Sequence, residues 1–272
     1  MNIKKILLYL ALCFDIASAF KNIIIIADVH GDINRFKNIL IDANVLNTAG
    51  DWIAEPDTAV VQLGDQIDPK PIDNDDISMT HHFEMIYYTD ILKTQALDNN
   101  CEFISLIGNH EQMNIAKIMK KPKVSKIIAS RPIVLKLNKF LFCHGGFKKA
   151  HQDILNEYGK TIDDLNTIWY NYVNNMTLSY VDQLILNKLV LDTEDSILYT
   201  RLPDNKNDVT NLFNNIGIDF MFVGHTVTKY IHTANRIWYL DQLLRQAFDN
   251  DVYMYLIIIE NDIIIKHFNY QH

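Results

Sequence analysis

Five short apolar segments of the sequence end in the same way, with glycine close to aspartate, asparagine or histidine. In the first, "IIIIADVHGD" (23–32), four isoleucines lead directly into the polar residues. A run of β-branched residues that stops at a glycine is typical of a buried parallel strand. Open α/β sheets bind their ligands at the carboxyl ends of such strands. The other four segments are "TAVVQLGDQID" (58–68), "EFISLIGNHE" (102–111), "KFLFCHGG" (139–146) and "DFMFVGHT" (219–226).

Glycine is concentrated at these five strand ends, which hold six of the nine glycines in the chain. A single strand that ends in Gly and Asp is ordinary turn chemistry. Five in series indicate a backbone that turns sharply beside something it approaches closely. We therefore expect the five strand ends to line one site.

The polar side chains at the strand ends are imidazoles, carboxylates and one amide, with no thiolate among them. This donor set suits Mn²⁺, Fe or Zn²⁺. It offers more ligands than one catalytic ion needs, and it fits two ions about 3.5–4 Å apart that share a carboxylate and act on a phosphoester. A histidine outside the ligand set, beside an aspartate, would protonate the leaving group.

Composition favours one large globular domain, because the 272-residue chain is 49% apolar and only 21% charged. The net charge of −8 gives no support for nucleic-acid binding, which depends on clustered lysine and arginine. Cys101 and Cys143 lie beside apolar strands without metal-type spacing, so we expect buried free thiols.

The first nineteen residues have the features of a signal peptide: Lys4 and Lys5, then "ILLYLALCF", then "ASA" at 17–19. We expect cleavage before Phe20, a single domain over 20–272 and a secretory or extracellular location. Two alternatives remain open. Residues 6–14 would be an ordinary first strand or helix in a cytoplasmic protein, or the segment would stay as an uncleaved anchor. No other membrane span is expected.

Periodicity predicts the elements around the strand ends. Apolar residues at helical spacing predict helices over 33–43 and 80–97, and Thr161 with Asp164 predicts a capped helix that runs toward Met176. The C-terminal "VYMYLIIIENDIIIKHF" predicts a β-hairpin. Long loops are expected at 70–79 and 203–211.

The five ordered motifs resemble those of the calcineurin-like metallophosphoesterases, and among these the phosphoprotein-phosphatase branch. Within that branch "GNHEQMN" and "SILYTR" are similar to the Shewanella-like phosphatases. The resemblance covers roughly residues 22 to 250. It implies an α/β fold in which a two-sheet β-sandwich is flanked by helices, with a dinuclear metal site at the strand ends.

The resemblance also implies a role for each matching residue. Two divalent ions, with Mn²⁺ expected and Fe or Zn²⁺ as alternatives, would share Asp65 as the bridging ligand. His110 would be the general acid with Asp68 as its orienting partner, and Glu111 would lie behind the ligands. The remaining ligands would be Asp28 and His30 on the first ion, and Asn109, His144 and His225 on the second.

Two positions depart from the family pattern. Where the family has Asp-Arg-Gly, this chain has Asp68-Pro69-Lys70, so the arginine that would bind phosphate there is absent. Lys70 would replace its charge but not its bidentate geometry, and Arg201 matches the family's later arginine. Gln242 stands where the family usually has glycine.

These features predict a metal-dependent phosphatase that hydrolyses phosphate monoesters, of the serine/threonine protein phosphatase type. Its substrates would be phosphorylated proteins or small phosphoesters. One alternative is a hydrolase of diadenosine polyphosphates or other nucleotides. Another is a non-catalytic scaffold that binds metal, for which the missing arginine is the one argument.

Overall fold

The structure, a computed structural model, describes residues 20–67, 79–202, 206–242 and 252–269. The predicted leader (1–19) and nearly all of the predicted loop 70–79 lie outside the described residues. None of the described helices is long and apolar enough to cross a membrane.

Within the described residues, ten strands form two five-stranded sheets. In the first sheet three parallel strands are followed in space by a C-terminal hairpin, in the order β10-β9-β1-β2-β3. Its strands are β1 (Asn22–Ile26), β2 (Thr58–Gln62), β3 (Glu102–Ser105), β9 (Val252–Ile259) and β10 (Asp262–Asn269). The hairpin was predicted from the sequence, and the structure confirms it.

The second sheet has the order β4-β5-β6-β8-β7, with β5, β6 and β8 parallel and the two edge strands antiparallel to their neighbours. Its strands are β4 (Val134–Leu137), β5 (Phe140–Cys143), β6 (Phe220–Val223), β7 (His232–Ala234) and β8 (Ile237–Tyr239). The strands that carry the five motifs are therefore divided between the two sheets.

Helices cover the outer face of each sheet. The first two are α1 (Ile33–Asp42) and α2 (Met79–Asp98), which confirm the predicted helices. Seven more follow: α3 (Asn109–Met113), α4 (Ile115–Ile118), α5 (Pro122–Ala129), α6 (Lys149–Glu157), α7 (Ile162–Val173), α8 (Tyr180–Leu186), which continues as a π-helical turn over Asn187–Leu191, and α9 (Lys206–Ile216).

Strand β1 shows why four consecutive isoleucines are needed. Ile23 and Ile25 point into the core between the sheets, where they join Phe142 and Phe222 of the opposite sheet. Ile24 and Ile26 point the other way, into the core beneath α1 and α2. A strand that is buried on both faces needs apolar side chains at successive positions. The predicted two-sheet sandwich with helical layers is confirmed.

The predicted loop 203–211 is partly wrong, because α9 begins at Lys206. Val209, Leu212 and Phe213 form one buried side of this helix, but polar residues before and between them hide the periodicity. The capping box at Thr161 is present, with Thr161 Oγ1 accepting from Asp164 N at 3.1 Å. Cys101 and Cys143 are buried free thiols, as expected.

Candidate metal centre

Three of the predicted ligands sit on left-handed backbone at the strand ends. The φ angles are +44° at His30, +51° at Asp65 and +56° at His225. A non-glycine residue in this region costs of the order of 1–3 kcal/mol. Such strain persists where the surrounding fold enforces it, which is typical of functional sites.

Three motif glycines allow the strand ends to pack closely against each other. A Cβ on Gly108 would clash with the backbone and carboxylate of Asp65, and a Cβ on Gly224 would clash with the carboxylate of Asp28. Gly64 fits the same way, since its Cβ would lie 2.7 Å from Gly108 N. Gly64 and Gly108 let the ends of β2 and β3 approach each other, and Gly224 lets the end of β6 in the second sheet approach Asp28 after β1.

Asp65 is the centre of the site. Its Oδ2 lies 3.6 Å from His110 Nε2 and 3.9 Å from His30 Nε2, and its Oδ1 lies 3.3 Å from His144 Nε2. These contacts define two groups of possible ligands that share Asp65. One contains His30 and His110, and the other contains His144 and His225.

The second group has the hydrogen-bond pattern of a metal site. His144 Nδ1 donates to Leu63 O at 2.9 Å, which leaves Nε2 as a lone-pair donor when the ring is neutral. Nε2 faces Asn109 Oδ1 at 2.9 Å as well as Asp65 Oδ1. His144 Nε2, Asn109 Oδ1 and Asp65 Oδ1 thus bring three lone pairs to one point. Such an arrangement can bind a cation.

Asp28 contacts residues of the second group. Its carboxylate accepts a hydrogen bond from His225 N, at 3.1 Å to Oδ2 and 3.3 Å to Oδ1, and lies 4.0 Å from His144 Nδ1. It therefore lies beside the two groups, and it joins the end of β1 to the end of β6 across the two sheets. The first group contains His110 in its place.

Buried acids dominate the electrostatics. Burial raises the pKa of Asp28 well above its usual range, and the nearby carboxylate of Asp241 raises it further. Burial also raises the pKa of Asp65, but the imidazoles of His144, His110 and His30 outweigh this and bring it below its usual range. The site thus holds several carboxylates in a volume from which water is largely excluded.

The histidines respond to the same charges. Burial lowers the pKa of His144, yet Asp65 and Asp28 raise it to about 10, so this ring carries a proton when no cation is near. Burial lowers the pKa of His225 to about 3, helped by the positive charges of His144 and Arg201. Burial lowers the pKa of His30 as well. The acids attract positive charge, and the lowered pKa values of His30 and His225 favour the neutral imidazoles that bind metal.

Comparison with known proteins identifies the family. A model of the calcineurin-like phosphoesterase family matches residues 21–229. The chain belongs to the calcineurin-like phosphoesterases. This match contains all five strand-end motifs and confirms the resemblance on which the residue assignments rest.

Individual relatives agree with this family. Shewanella-like protein phosphatase 1 of Plasmodium berghei is 27% identical over 151 residues, a match that covers 46% of this chain and 38% of that protein. The structure of a cold-active protein-tyrosine phosphatase from a psychrophilic Shewanella species superimposes with a TM-score of 0.73 at 18% identity, covering 93% of this chain and 81% of that one. A serine/threonine phosphatase of Saccharomyces cerevisiae gives a TM-score of 0.59 at 12% identity, covering 95% and 82% of the two chains. The two structural matches show a shared fold.

Glu111 lies beneath the turns that carry the candidate ligands Asp65 and Asn109. The side chain is fully buried. Its Oε2 accepts from Gly108 N at 2.8 Å and Asp65 N at 3.0 Å, and its Oε1 accepts from Gln66 N at 2.8 Å and Ile67 N at 3.2 Å. One carboxylate therefore holds the turn after β2 against the turn after β3.

The predicted phosphate-binding residues are only partly described. Arg201 is exposed beside the second group, and its Nη1 donates to His225 O at 3.2 Å. Asp68 and Lys70 lie outside the described residues. Among the described residues, His110 Nδ1 is buried without a hydrogen-bond partner, so the chain portion that the structure describes offers no alternative to Asp68 as its orienting group.

Sequence reasoning missed two residues of the site. Asp241 is buried and follows β8 at the same edge of the second sheet, but no glycine marks this strand end. Tyr199 donates from its hydroxyl to Gln112 Oε1 at 2.9 Å, and its ring contacts His225 edge-on. Nothing in the sequence pattern singles out Tyr199.

Gln242, which stands where the family usually has glycine, accepts a hydrogen bond from Met254 N at 2.8 Å. This bond connects the segment after β8 of the second sheet to β9 of the first.

Proposed function

We propose that this protein is a metal-dependent phosphatase that hydrolyses phosphate monoesters with two divalent ions, and that its substrates carry phosphoserine or phosphothreonine. One observation carries the proposal. Two groups of imidazole donors meet at a single buried carboxylate, Asp65, at the carboxyl ends of strands from both sheets. This is the arrangement that two ions sharing a bridging ligand require.

The donor set fits the proposed ions. Asp65 would bridge them, His30 with Asp28 would hold the first, and Asn109, His144 and His225 would hold the second. Oxygen and imidazole donors without thiolate favour Mn²⁺, with Fe or Zn²⁺ as alternatives. Ions bound there would act as Lewis acids on the phosphoester and on the attacking water.

The protein's own contribution to the reaction is proton transfer and positioning. His110 would protonate the leaving oxygen, since its imidazole is partly open to solvent and lies at the edge of the site. Asp68 would fix the orientation and charge of this ring. Arg201 would bind the phosphoryl oxygens with its fork of N–H donors, supported by the point charge of Lys70.

The first group supports a competing role for His110. Its Nε2 is nearer to Asp65 Oδ2 than His30 Nε2 is, at 3.6 Å against 3.9 Å. If His110 binds metal in place of Asp28, another group must supply the proton. Metal content of a His110 variant distinguishes the two roles.

The relatives support a protein substrate. The curated relative is named a protein phosphatase, whereas one structural neighbour is named a protein-tyrosine phosphatase. The chain spans well under half of the curated relative, so its name supports the substrate class without fixing it. Dinucleoside polyphosphates remain the alternative substrate, and a scaffold without activity is disfavoured by the full set of donors.

The decisive experiment compares substrates on one preparation. The purified chain, with Mn²⁺ added, is assayed on matched peptides that carry phosphoserine, phosphothreonine or phosphotyrosine, and on diadenosine tetraphosphate. We expect the serine and threonine peptides to have the highest kcat/KM. A higher value for phosphotyrosine or for the dinucleotide would reassign the substrate. Metal binding with no turnover of any substrate would support the scaffold.

A further inference from the structure

A cavity lies away from the metal centre, between the edges of the two sheets. Its volume is about 340 Å³, and it lies between the edge strands β3 and β4 beneath α2 and α7. This volume is in the range of small-molecule sites. Most of its surface is apolar, with walls formed by Leu97, Ile104, Ile127 and Leu135.

The inner end of the cavity is polar and contains a buried cation. Arg131 is only 6% exposed. Its Nη1 donates to Gln66 Oε1 at 2.5 Å, and its Nη2 donates to Thr89 Oγ1 at 2.9 Å and to Ile86 O at 3.5 Å. All three acceptors are neutral, so none of these hydrogen bonds pairs the guanidinium with a negative charge.

Arg131 therefore has unused capacity for an anion. A guanidinium has five N–H donors, and three are used by these bonds, which leaves two. No carboxylate of the described residues lies within ion-pair distance of Arg131. Glu111 and Asp90 stabilise this buried charge only from beyond ion-pair distance, and an incoming carboxylate would give it a direct partner. Burial lowers the pKa of Arg131 to about 10, against the raising effect of Glu111 and Asp90, and the group stays charged at neutral pH.

Two lysines and three acids line the cavity besides Arg131, namely Lys93, Lys136, Asp90, Glu102 and Asp163. Lys136 Nζ donates to Ile216 O at 2.6 Å. Burial raises the pKa of Glu102, and Lys93 partly offsets this. An anion is thus not attracted by the opening itself, and selection depends on the inner guanidinium.

We propose that this cavity binds a small amphipathic organic carboxylate, with the carboxylate on Arg131 and the hydrocarbon part along the apolar walls. The two free N–H groups, one on Nε and one on Nη1, point to different sides of the guanidinium, so one of them donates to the bound carboxylate. The site is independent of the metal centre, although Gln66 connects the two: it accepts from Arg131 and adjoins Asp65 in the chain.

Octanoate is a suitable probe, with 1-octanol as its uncharged counterpart. The full chain is titrated with each compound by isothermal titration calorimetry, in the presence of inorganic phosphate to occupy the metal centre. We expect saturable octanoate binding with a Kd of roughly 0.1–1 mM, and at least about tenfold weaker binding of 1-octanol. Equal affinities, or no saturation by about 10 mM octanoate, would overturn the proposal.

A matched pair of variants locates the binding site. Thr167 on α7 is exposed at the opening, and its hydroxyl donates to Asp163 O one turn earlier. Thr210 on α9 is equally exposed, does not line the cavity, and donates in the same way to Lys206 O. Thr167→Phe should weaken octanoate binding by at least about tenfold, and Thr210→Phe should leave it within about twofold. The same effect of both variants would place the binding elsewhere and overturn the proposal.

Arg131→Met tests the charge. The variant should bind octanoate and 1-octanol with similar affinity, and a retained preference for octanoate would contradict the role of Arg131. Because Arg131 also holds Gln66, this variant is interpreted only if its circular dichroism matches that of the unaltered chain. The Thr167 and Thr210 pair decides the proposal without it.

Discussion

Asp65 Oδ2 and His110 Nε2 are 3.6 Å apart, but the proposed function gives the two residues different roles. Asp65→Asn removes the charge that bridges the ions, so it should lower both metal content and turnover. His110→Asn should keep both ions and reduce kcat by about 10²–10⁴ on alkyl phosphates, because only the proton donor is lost. Metal content is measured by mass spectrometry of the bound elements.

The leaving group provides the internal control for this pair. An aryl phosphate such as p-nitrophenyl phosphate releases a stable anion that needs no proton, so His110→Asn should slow its hydrolysis much less. Equal losses on alkyl and aryl phosphates, or metal loss in the His110 variant, would make His110 a ligand or a structural residue.

Gly108 offers a second test among single residues. Gly108→Ala places a methyl group against the backbone and carboxylate of Asp65, so it should reduce metal content and destabilise the fold. Gly159→Ala is the control: its φ of +63° is unfavourable for alanine, but nothing lies within 4 Å of the added atom. The control should cost about 1 kcal/mol of unfolding free energy and keep the metal. Equal metal content in both variants would contradict the close packing at Asp65.

At the scale of elements, the edge strand β4 is covered by one side chain. Asn166 Oδ1 accepts from Ile133 N at 2.9 Å and Val134 N at 3.3 Å, and its Nδ2 donates to Val134 O at 2.8 Å. The amide thus occupies the outer side of β4 as a neighbouring strand would. Such cover also blocks pairing with another chain at this position.

Asn166→Ala should therefore destabilise the protein by roughly 2–4 kcal/mol, because it leaves buried backbone groups without partners. Thr161→Ala on the same helix removes only an exposed cap and should cost about 1 kcal/mol. Urea denaturation followed by circular dichroism measures both. A cost for Asn166→Ala no larger than that of Thr161→Ala would show that water replaces the amide.

For the whole molecule, bound ions should add to stability in proportion to their occupancy. At about 100 times its Kd, Mn²⁺ should stabilise the fold by about 2.7 kcal/mol, which corresponds to a rise in Tm of roughly 5–10 °C for a domain of this size. EDTA should reverse the shift, and Asp65→Asn should show less than half of it. An equal shift in the variant would mean that Mn²⁺ binds elsewhere.

The N-terminal prediction also concerns the whole chain. Phe20 is buried, and its carbonyl oxygen accepts from Asn138 Nδ2 at 3.2 Å. We propose that signal peptidase removes residues 1–19, which leaves Phe20 as the first residue. In a secretory host, intact-mass measurement should show a chain that starts at or near Phe20. Retention of Met1 would contradict the cleavage.

The parts of the molecule that were predictable from sequence are those set by neighbouring residues. Each strand-end motif is a local signal, because the strand, the turn and the polar side chain occur within about ten residues. The hairpin β9–β10 and the helix after Thr161 are local in the same sense, and both are present. The family match then supports the grouping of the motifs into one site.

The missed features depend on contacts between distant parts of the chain. Asp241 gains its importance from burial beside Asp28, and Tyr199 from its contact with Gln112, 87 residues away. The hydrogen bond from His225 N to the Asp28 carboxylate likewise depends on how the two sheets pack. Helix α9 was missed for a local reason, since its first turn is polar and only one of its three buried residues, Val209, falls within 203–211.

The bond between His225 N and the Asp28 carboxylate joins residues 197 positions apart, which has a consequence for the timing of synthesis. At about 5–20 residues per second, a ribosome needs roughly 10–40 s to travel from one to the other. Once His110 has been made, and until His225 follows 115 residues later, the nascent chain carries His30, Asp65 and His110 without His225. If the protein binds two ions as proposed, an ion that arrives early finds only the first ligand group, and the second ion binds after β6 has emerged.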